Sequence, residues 1–249
     1  MEFKTNVMGH SKEFRLRRFS NWFPLGLTYA AFYMGRYNLN VSSKTIMDLF
    51  NLSKADFGII ATAGFWTYAL SVIINGPLAD KIGGKKAILL GALGSTIINL
   101  TVGLLFLNGW QTKIILGMSL LYSANQYFQS FGALSVVKVN SSWFHVKERG
   151  VFGGIFGIMI SSGYFLALTI GGYILSLLPW YYVFIIPAGL IFIMFIIDSF
   201  LVKDKPSQAG YNDFNTGDAS SNDPEKDKPV DWGYLLKKVF TNPIIITIM

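Results

Sequence analysis

The chain has 249 residues, 52% of them hydrophobic and only 14% charged, with a mean hydropathy of +0.43. A soluble domain carries about 25% charged residues, so long apolar runs broken by short basic clusters describe a chain whose solvent is lipid. Cysteine is absent and the two histidines, His10 and His145, stand in polar flanks, which excludes disulfides, thiol catalysis and a multi-histidine metal site.

In chain order, residues 1–21 form a polar, basic leader, and the apolar run after it is too long for a signal peptide. Lys12–Phe19 of the leader is predicted to lie on the membrane surface. A spanning helix needs about 20 apolar residues. On that measure six spans are predicted: Trp22–Val41, Phe57–Leu78, Ala87–Leu107, Ile114–Val137, Val151–Leu178 and Tyr181–Val202. Short links, Asn51–Asp56, Asn108–Lys113 and Pro179–Trp180, alternate with the basic links Asp80–Lys86 and Phe144–Gly150. Residues 203–240 read as a central linker, polar and rich in Asp, Asn, Ser and Pro, with a short amphipathic piece at Trp232–Phe240. A seventh apolar run starts near Pro243, so residues 241–249 read as the beginning of a further span. The expected domains are therefore the leader, a six-helix bundle over 22–202, the linker and this last piece.

Lys and Arg are divided unequally, sixteen on the side of the leader, the basic links and the linker against Lys44, Lys54 and Lys113 opposite. That asymmetry predicts a cytoplasmic N-terminus and accounts for the net charge of +7 without a nucleic-acid partner. Six spans, a long linker and a further span match the layout of half a twelve-helix transporter.

Gly76-Pro-Leu-Ala-Asp80-Lys-Ile-Gly83-Gly-Lys85-Lys86 resembles the loop signature between the second and third helices of the major facilitator superfamily. Tyr29-Ala-Ala-Phe-Tyr33-Met-Gly-Arg36-Tyr-Asn38 resembles the first helix of that superfamily's organophosphate:phosphate antiporters. Gln129-Ser-Phe-Gly132, Lys138, Trp143-Phe144 and Lys147-Glu148-Arg149-Gly150 are similar to the same family's fourth helix and following loop. Asp204-Lys-Pro206-Ser-Gln-Ala-Gly210 is similar to its linker opening. The resemblance implies an all-α fold, the six-helix N-terminal bundle of a twelve-helix polytopic membrane protein. It implies exchange of an organic phosphate for inorganic phosphate by alternating access, in a bacterial inner membrane, by a monomer without a cofactor. Relatives of this kind include a sugar-phosphate sensor, which would add a kinase partner, and a symporter of another organic anion stays open. No nucleophile–base pair or metal cluster suggests an enzyme.

Arg36 carries the chemistry. It lies about 14 residues into its span, about 21 Å along a hydrocarbon core about 30 Å thick, where arginine costs at least ~2.5–3.5 kcal/mol. Asp80 and Asp198 stand at helix ends and Asp48 and Asp56 on the outer side, so no acid within the six spans is an evident counter-ion. A guanidinium fork matches phosphate oxygens two at a time. Tyr29 and Tyr33 share its helix face, and the resemblance adds Tyr68 to the substrate-binding set. Where well-known members carry a lysine, a histidine and Trp-Pro-Pro, this chain has Val72, Ile160 and Ala133-Leu134-Ser135. The phosphate-site expectation is thereby limited to Arg36 with tyrosines in support.

Gly76, Asp80, Gly83, Lys85, Lys86 and Arg149 are expected to form a conformational gate, with Asp80 and the Lys85–Lys86 loop making contacts at the cytoplasmic face. Lys138 either lines the inner mouth or snorkels. Gly153 and Gly157 give a small-xxx-small face for close helix packing. Asn75, Asn99, Asn125, Gln126 and Gln129 either bond between helices or touch substrate.

Overall fold

The computed structural model describes residues 9–218, Gly233 and Thr241, and among these it contains eight α-helices, one 3₁₀ turn and no strand. All eight helices belong to one compact unit that runs through Thr216. Trp232–Phe240 (Gly233 apart) and the run from Pro243 lie outside the described residues.

The helices are α1 Lys12–Val41, α2 Ser43–Phe50, α3 Lys54–Ile82, α4 Gly84–Leu107, α5 Ile114–Gln129, α6 Phe131–Trp143, α7 Val146–Leu177 and α8 Tyr182–Leu201. Four of them, α3, α4, α7 and α8, are each long and apolar enough to cross a membrane. The first predicted span is α1, and the fourth is α5 continued by α6. Pro24, Pro77 and Pro187 sit inside helices without ending them, because in lipid the backbone has no partner but itself.

Two details differ from expectation. The described end of the leader is continuous with the first span, since α1 starts at Lys12 with the Ser11 hydroxyl accepting the Phe14 N–H at 3.2 Å. Leu16 and Phe19 stay exposed, whereas Phe14 and Arg18 turn inward, Arg18 being 8% exposed and forked onto the equally buried Glu148 of α7 at 2.9 and 3.2 Å. Arg18 Nη1 also donates to the Trp143 carbonyl at 3.3 Å, and the guanidinium lies 4.4 Å from the Phe144 ring centroid. The fourth span is interrupted at Ser130, whose hydroxyl donates to the Tyr127 carbonyl at 2.7 Å and accepts from Asn75 Nδ2 at 2.8 Å. A serine bonding backwards loosens the helix ladder there.

The opening of the linker also folds onto the bundle. Lys203 N donates to Asn21 Oδ1 at 2.7 Å, its carbonyl accepts from Trp143 Nε1 at 2.9 Å, and Asp204 Oδ1 accepts the Lys85 N–H at 2.7 Å. Tyr211 and Phe214 meet Phe14 edge-on, and the Thr216 carbonyl accepts the Val146 N–H at 2.8 Å. His10 packs on Phe14 and Phe214; burial, then the Arg18 charge, holds its imidazole below the ordinary histidine range.

α1 packs against α7 and α8, α3 against α5, and α4 against α8, α5 and α6. Glycines set the closest approaches: a Cβ on Gly64 would stand 2.2 Å from Tyr122 Cδ1, and one on Gly163 2.8 Å from Ala30 Cα. Three apolar clusters result, a small one around Ala79, Ala87 and Phe131 and two larger ones. Of the larger two, one gathers Phe14, Leu25, Phe32, Ile88, Val139, Trp143 and Ile191, and the other Leu39, Ile60, Val102, Met118 and Phe184. Between the two larger clusters α1, α4 and α5 bury polar side chains, among them Asn38, Ser95, Asn99, Asn125 and Gln129.

Replacing Glu148 by Ala strands the buried Arg18 guanidinium, and the expected loss of stability is about 3–5 kcal/mol. Thermal unfolding of the purified full-length protein in detergent measures it. The double variant Arg18→Ala/Glu148→Ala should lose clearly less than the sum of the singles.

Candidate functional site

The polar positions between the clusters form one hydrogen-bonded layer around Arg36. Arg36 Nε donates to Gln129 Oε1 at 3.0 Å. Gln129 Nε2 donates to Ser95 Oγ at 3.1 Å, and Ser95 Oγ donates to Asn125 Oδ1 at 2.7 Å. Asn125 Oδ1 also accepts from Asn99 Nδ2 at 2.9 Å, and Asn99 Oδ1 accepts from Asn38 Nδ2 at 2.6 Å. Asn125 Nδ2 returns to α1 through the Gly35 carbonyl at 2.8 Å, and the Tyr122 hydroxyl donates to the Arg36 carbonyl at 3.3 Å. Asn38, Ser95, Asn99, Asn125 and Gln129 are all buried. Asn99, Asn125 and Gln129 thus bond between helices, which was one of their two open readings.

The guanidinium lies between two rings, with its carbon 5.2 Å from the Tyr33 centroid and 4.6 Å from that of Tyr68 on α3. Such cation–π contacts are worth about 0.5–2 kcal/mol each. Arg36 Nη2 is buried and has no hydrogen-bond partner among the described residues. Tyr29, 6% exposed, meets Tyr33 edge-on at 5.6 Å and stacks on Phe156 of α7 at 5.8 Å. All four residues of the expected binding set therefore stand together, three of them on one stretch of α1. The aromatics continue past that set, because Tyr33 stacks on Tyr37 at 5.7 Å and Tyr37 meets Tyr164 of α7 at 4.8 Å.

The expected gate residues share the end of the bundle where α1 begins. Asp80 Oδ1 takes its salt bridge from Lys138 of α6 at 2.7 Å, both side chains being exposed. Lys85 Nζ donates to the Ser199 carbonyl at 2.6 Å, and Lys86 is exposed. Gly83, at φ +89°, makes the one-residue turn between α3 and α4, where a Cβ would stand 2.8 Å from Asp204 Oδ2. That backbone favours glycine. Arg149 donates to the Ser141 carbonyl at 2.8 Å and the Phe144 carbonyl at 3.2 Å. A Cβ on Gly76 would meet nothing within 4 Å.

Gly153 and Gly157 do not pack against a helix among the described residues, since a Cβ on either would meet nothing within 4 Å. They line a groove of about 370 Å³ between α6 and α7, with Tyr29, Asn140 and Arg149 also on its wall. Asp198, near the end of α8 as expected, is fully buried, with the Thr28 hydroxyl 2.6 Å from its Oδ2.

The sequence profile of the Major Facilitator Superfamily matches residues 25–249. The chain belongs to that superfamily. Among curated relatives, it is 27% identical over 124 residues to the membrane sensor protein UhpC of Salmonella typhimurium, covering 50% of this chain and 26% of that protein. It is 23% identical over 199 residues to a probable hexose phosphate transport protein of Chlamydia trachomatis, covering 80% and 42% respectively. It is 26% identical over 176 residues to the D-galactonate transporter of Escherichia coli, covering 70% and 39%. The match to each spans less than half of the relative's length. Among solved structures, a bacterial homologue of the human lysosomal transporter Spinster, inward-facing and unoccupied, superposes with a TM-score of 0.67 at 18% identity. That match covers 93% of this chain and 50% of the other, and it shows the fold.

As a superfamily member the chain is an integral membrane protein, all-α as expected, and of a family of transporters rather than enzymes. Sequence reasoning missed Tyr37, Tyr164 and the Arg18–Glu148 joint. The spacing of Tyr29, Tyr33 and Tyr37, four residues apart, was a usable signal for the first of these. No local pattern announces a pair 130 residues apart.

Asn125→Leu deprives Asn99, Ser95 and the Gly35 carbonyl of a buried partner at once. The expected cost is about 1–3 kcal/mol per stranded group, read as a lowered unfolding temperature, while Thr101→Ala on exposed α4 surface should change it little.

Proposed function

We propose that the full-length protein exchanges an organic phosphate, a glycerol or sugar phosphate, for inorganic phosphate by alternating access. In this reading it sits in a bacterial inner membrane with its N-terminus in the cytoplasm, as the Lys and Arg asymmetry favours. The observation that carries the reading is Arg36: a half-buried guanidinium held through Nε by Gln129, close to two aromatic rings, with its enclosed Nη2 unpartnered among the described residues.

Gln129 supports anion binding in a way that an acid could not. A carboxamide fixes the orientation of the guanidinium without cancelling its charge, so the planar fork stays available to two phosphoryl oxygens. Tyr29, Tyr33 and Tyr68 contribute hydroxyls and ring faces around it. Exchange follows from the same physics. An empty cationic site crossing the midplane keeps an uncompensated buried charge, whereas a site loaded with either phosphate does not. The Asp80–Lys138 bridge would hold one end of the bundle in one state and release it in the other. Being exposed, it is worth about 0–1 kcal/mol and breaks cheaply.

A second reading, a receptor for sugar phosphate that signals to a kinase, draws on the similarity to membrane sensor proteins. Flux separates the two. Full-length protein in liposomes preloaded with labelled phosphate is expected to release it when an external organophosphate is supplied. Arg36→Lys, which keeps the charge but loses the fork, is expected to slow that release about 30-fold or more. A folded protein that binds sugar phosphate and supports no efflux would replace the carrier with the receptor. Net uptake without phosphate counterflow would make it a symporter of another anion.

A further inference from the structure

Away from the layer around Arg36, three cations collect where α8 ends. Arg17 comes from α1, Lys85 from the first turn of α4, and Lys203 from the chain just past α8. Arg17 Nη2 donates to the Leu201 carbonyl at 2.8 Å and Lys85 Nζ to the Ser199 carbonyl at 2.6 Å, so both reach the last turn of α8. The Lys203 N–H is held by Asn21 Oδ1 at 2.7 Å, one turn along α1 from Arg17. Lys85 lies within electrostatic reach of both other cations, and of Asp198 and Asp204.

No carboxylate pairs with any of the three. Among the described residues the ion pairs are Arg18–Glu148 and Lys138–Asp80. Asp204 Oδ1 accepts the Lys85 backbone N–H at 2.7 Å, and Asp198 Oδ2 faces the Thr28 hydroxyl. A helix C-terminus presents about half a negative charge. Even with both acids counted as charged, three cations exceed what faces them. Arg17 Nη1 also has no hydrogen-bond partner among the described residues.

The cluster sits where protein, lipid and water meet. All three cations lie just outside the predicted spans Trp22–Val41, Ala87–Leu107 and Tyr181–Val202. Arg17 stands at the border of the packing face of α1, with Asn21 and Thr28 buried on one side and Leu16, Phe23 and Leu27 exposed on the other. Phe200, 75% exposed, and Leu201 carry the apolar surface onto α8. Such side chains belong among acyl chains, which leaves the three charges at the level of the headgroups.

We propose that Arg17, Lys85 and Lys203 bind the phosphate of an anionic phospholipid at the seam of α1 and α8, its acyl chains lying on Phe23 and Leu27. Guanidinium and ammonium N–H groups donate to the phosphoryl oxygens, and basic pockets between membrane helices are suited to such headgroups. The headgroup must be net negative, because a zwitterionic one brings its own ammonium to a site already in positive surplus. Bound there, the lipid is a shared counter-ion for α1, α4 and the chain after α8. Free phosphate offers the same oxygens without the chains, and the test separates the two. The inference does not draw on the reading of Arg36.

Full-length protein is reconstituted in nanodiscs of equal phosphatidylglycerol and phosphatidylcholine and released into detergent, and native mass spectrometry counts the lipid that stays bound. Phosphatidylglycerol should be retained at least about 5-fold over phosphatidylcholine. Arg17→Gln and Lys203→Gln should each cut that preference about 5-fold. Lys203→Gln keeps the backbone bonds at this position, so it tests the charge even if Arg17→Gln does not fold. Lys147→Gln, exposed in the first turn of α7, should leave the preference unchanged. No preference for phosphatidylglycerol, or an equal loss in Lys147→Gln, would reduce the cluster to general surface charge and overturn the site. Displacement of the retained lipid by inorganic phosphate, but not by chloride at equal ionic strength, would assign the cluster to free phosphate and overturn the lipid.

Discussion

A guanidinium partly enclosed in an apolar bundle gives up much of its hydration, and the bundle is arranged around that difficulty at Arg36. The two larger apolar clusters close off the ends, and the layer between them is built from amides, hydroxyls and aromatic rings that can face a cation without being charged. The layer ties α1 to α4 and α5 through bonds that run from Arg36 to Gln129, Ser95, Asn125, Asn99 and back to α1 at Asn38 and Gly35. Each member is satisfied largely by the next, so the network is rigid as a unit. What remains outside it is the Nη2 end of the guanidinium.

The other charges are handled in two contrasting ways. Arg18 and Glu148 are buried, forked and backed by the Phe144 ring, a joint whose rupture leaves a stranded charge. Asp80 and Lys138 are exposed and singly bonded. The first suits a permanent fastening of α1 to α7, reinforced by the strap of Lys203–Thr216 over the ends of α6 and α7. The second suits a contact that the proposed cycle makes and breaks. The same end of the molecule thus carries a buried, doubly bonded pair and an exposed, singly bonded one.

Several readings of single residues changed once the helices were placed. Asp198 stands at a helix end in the sequence, and the fold encloses it fully between α8 and Thr28 of α1. Lys138 had two open readings and is the partner of Asp80. Gly153 and Gly157 show the opposite case, with a packing pattern that meets no helix among the described residues. Periodicity tells which residues share a face. It does not tell what that face meets.

The sequence by itself determined the all-α membrane class and the superfamily, and it singled out Arg36 as the candidate, because run length, charge segregation and an arginine within an apolar run are properties readable along one dimension. It also placed Tyr29 and Tyr33 with Arg36, since helical spacing alone puts them on one face. Only the tertiary structure decided that Gln129 holds Nε, that Tyr68 closes over the guanidinium from α3, that Tyr164 reaches Tyr37 from α7, and that Arg18 finds Glu148. Those pairings depend on how each helix is rotated and how closely its neighbour approaches. Small residues such as Gly64 and Gly163 set both through contacts that no single helix contains.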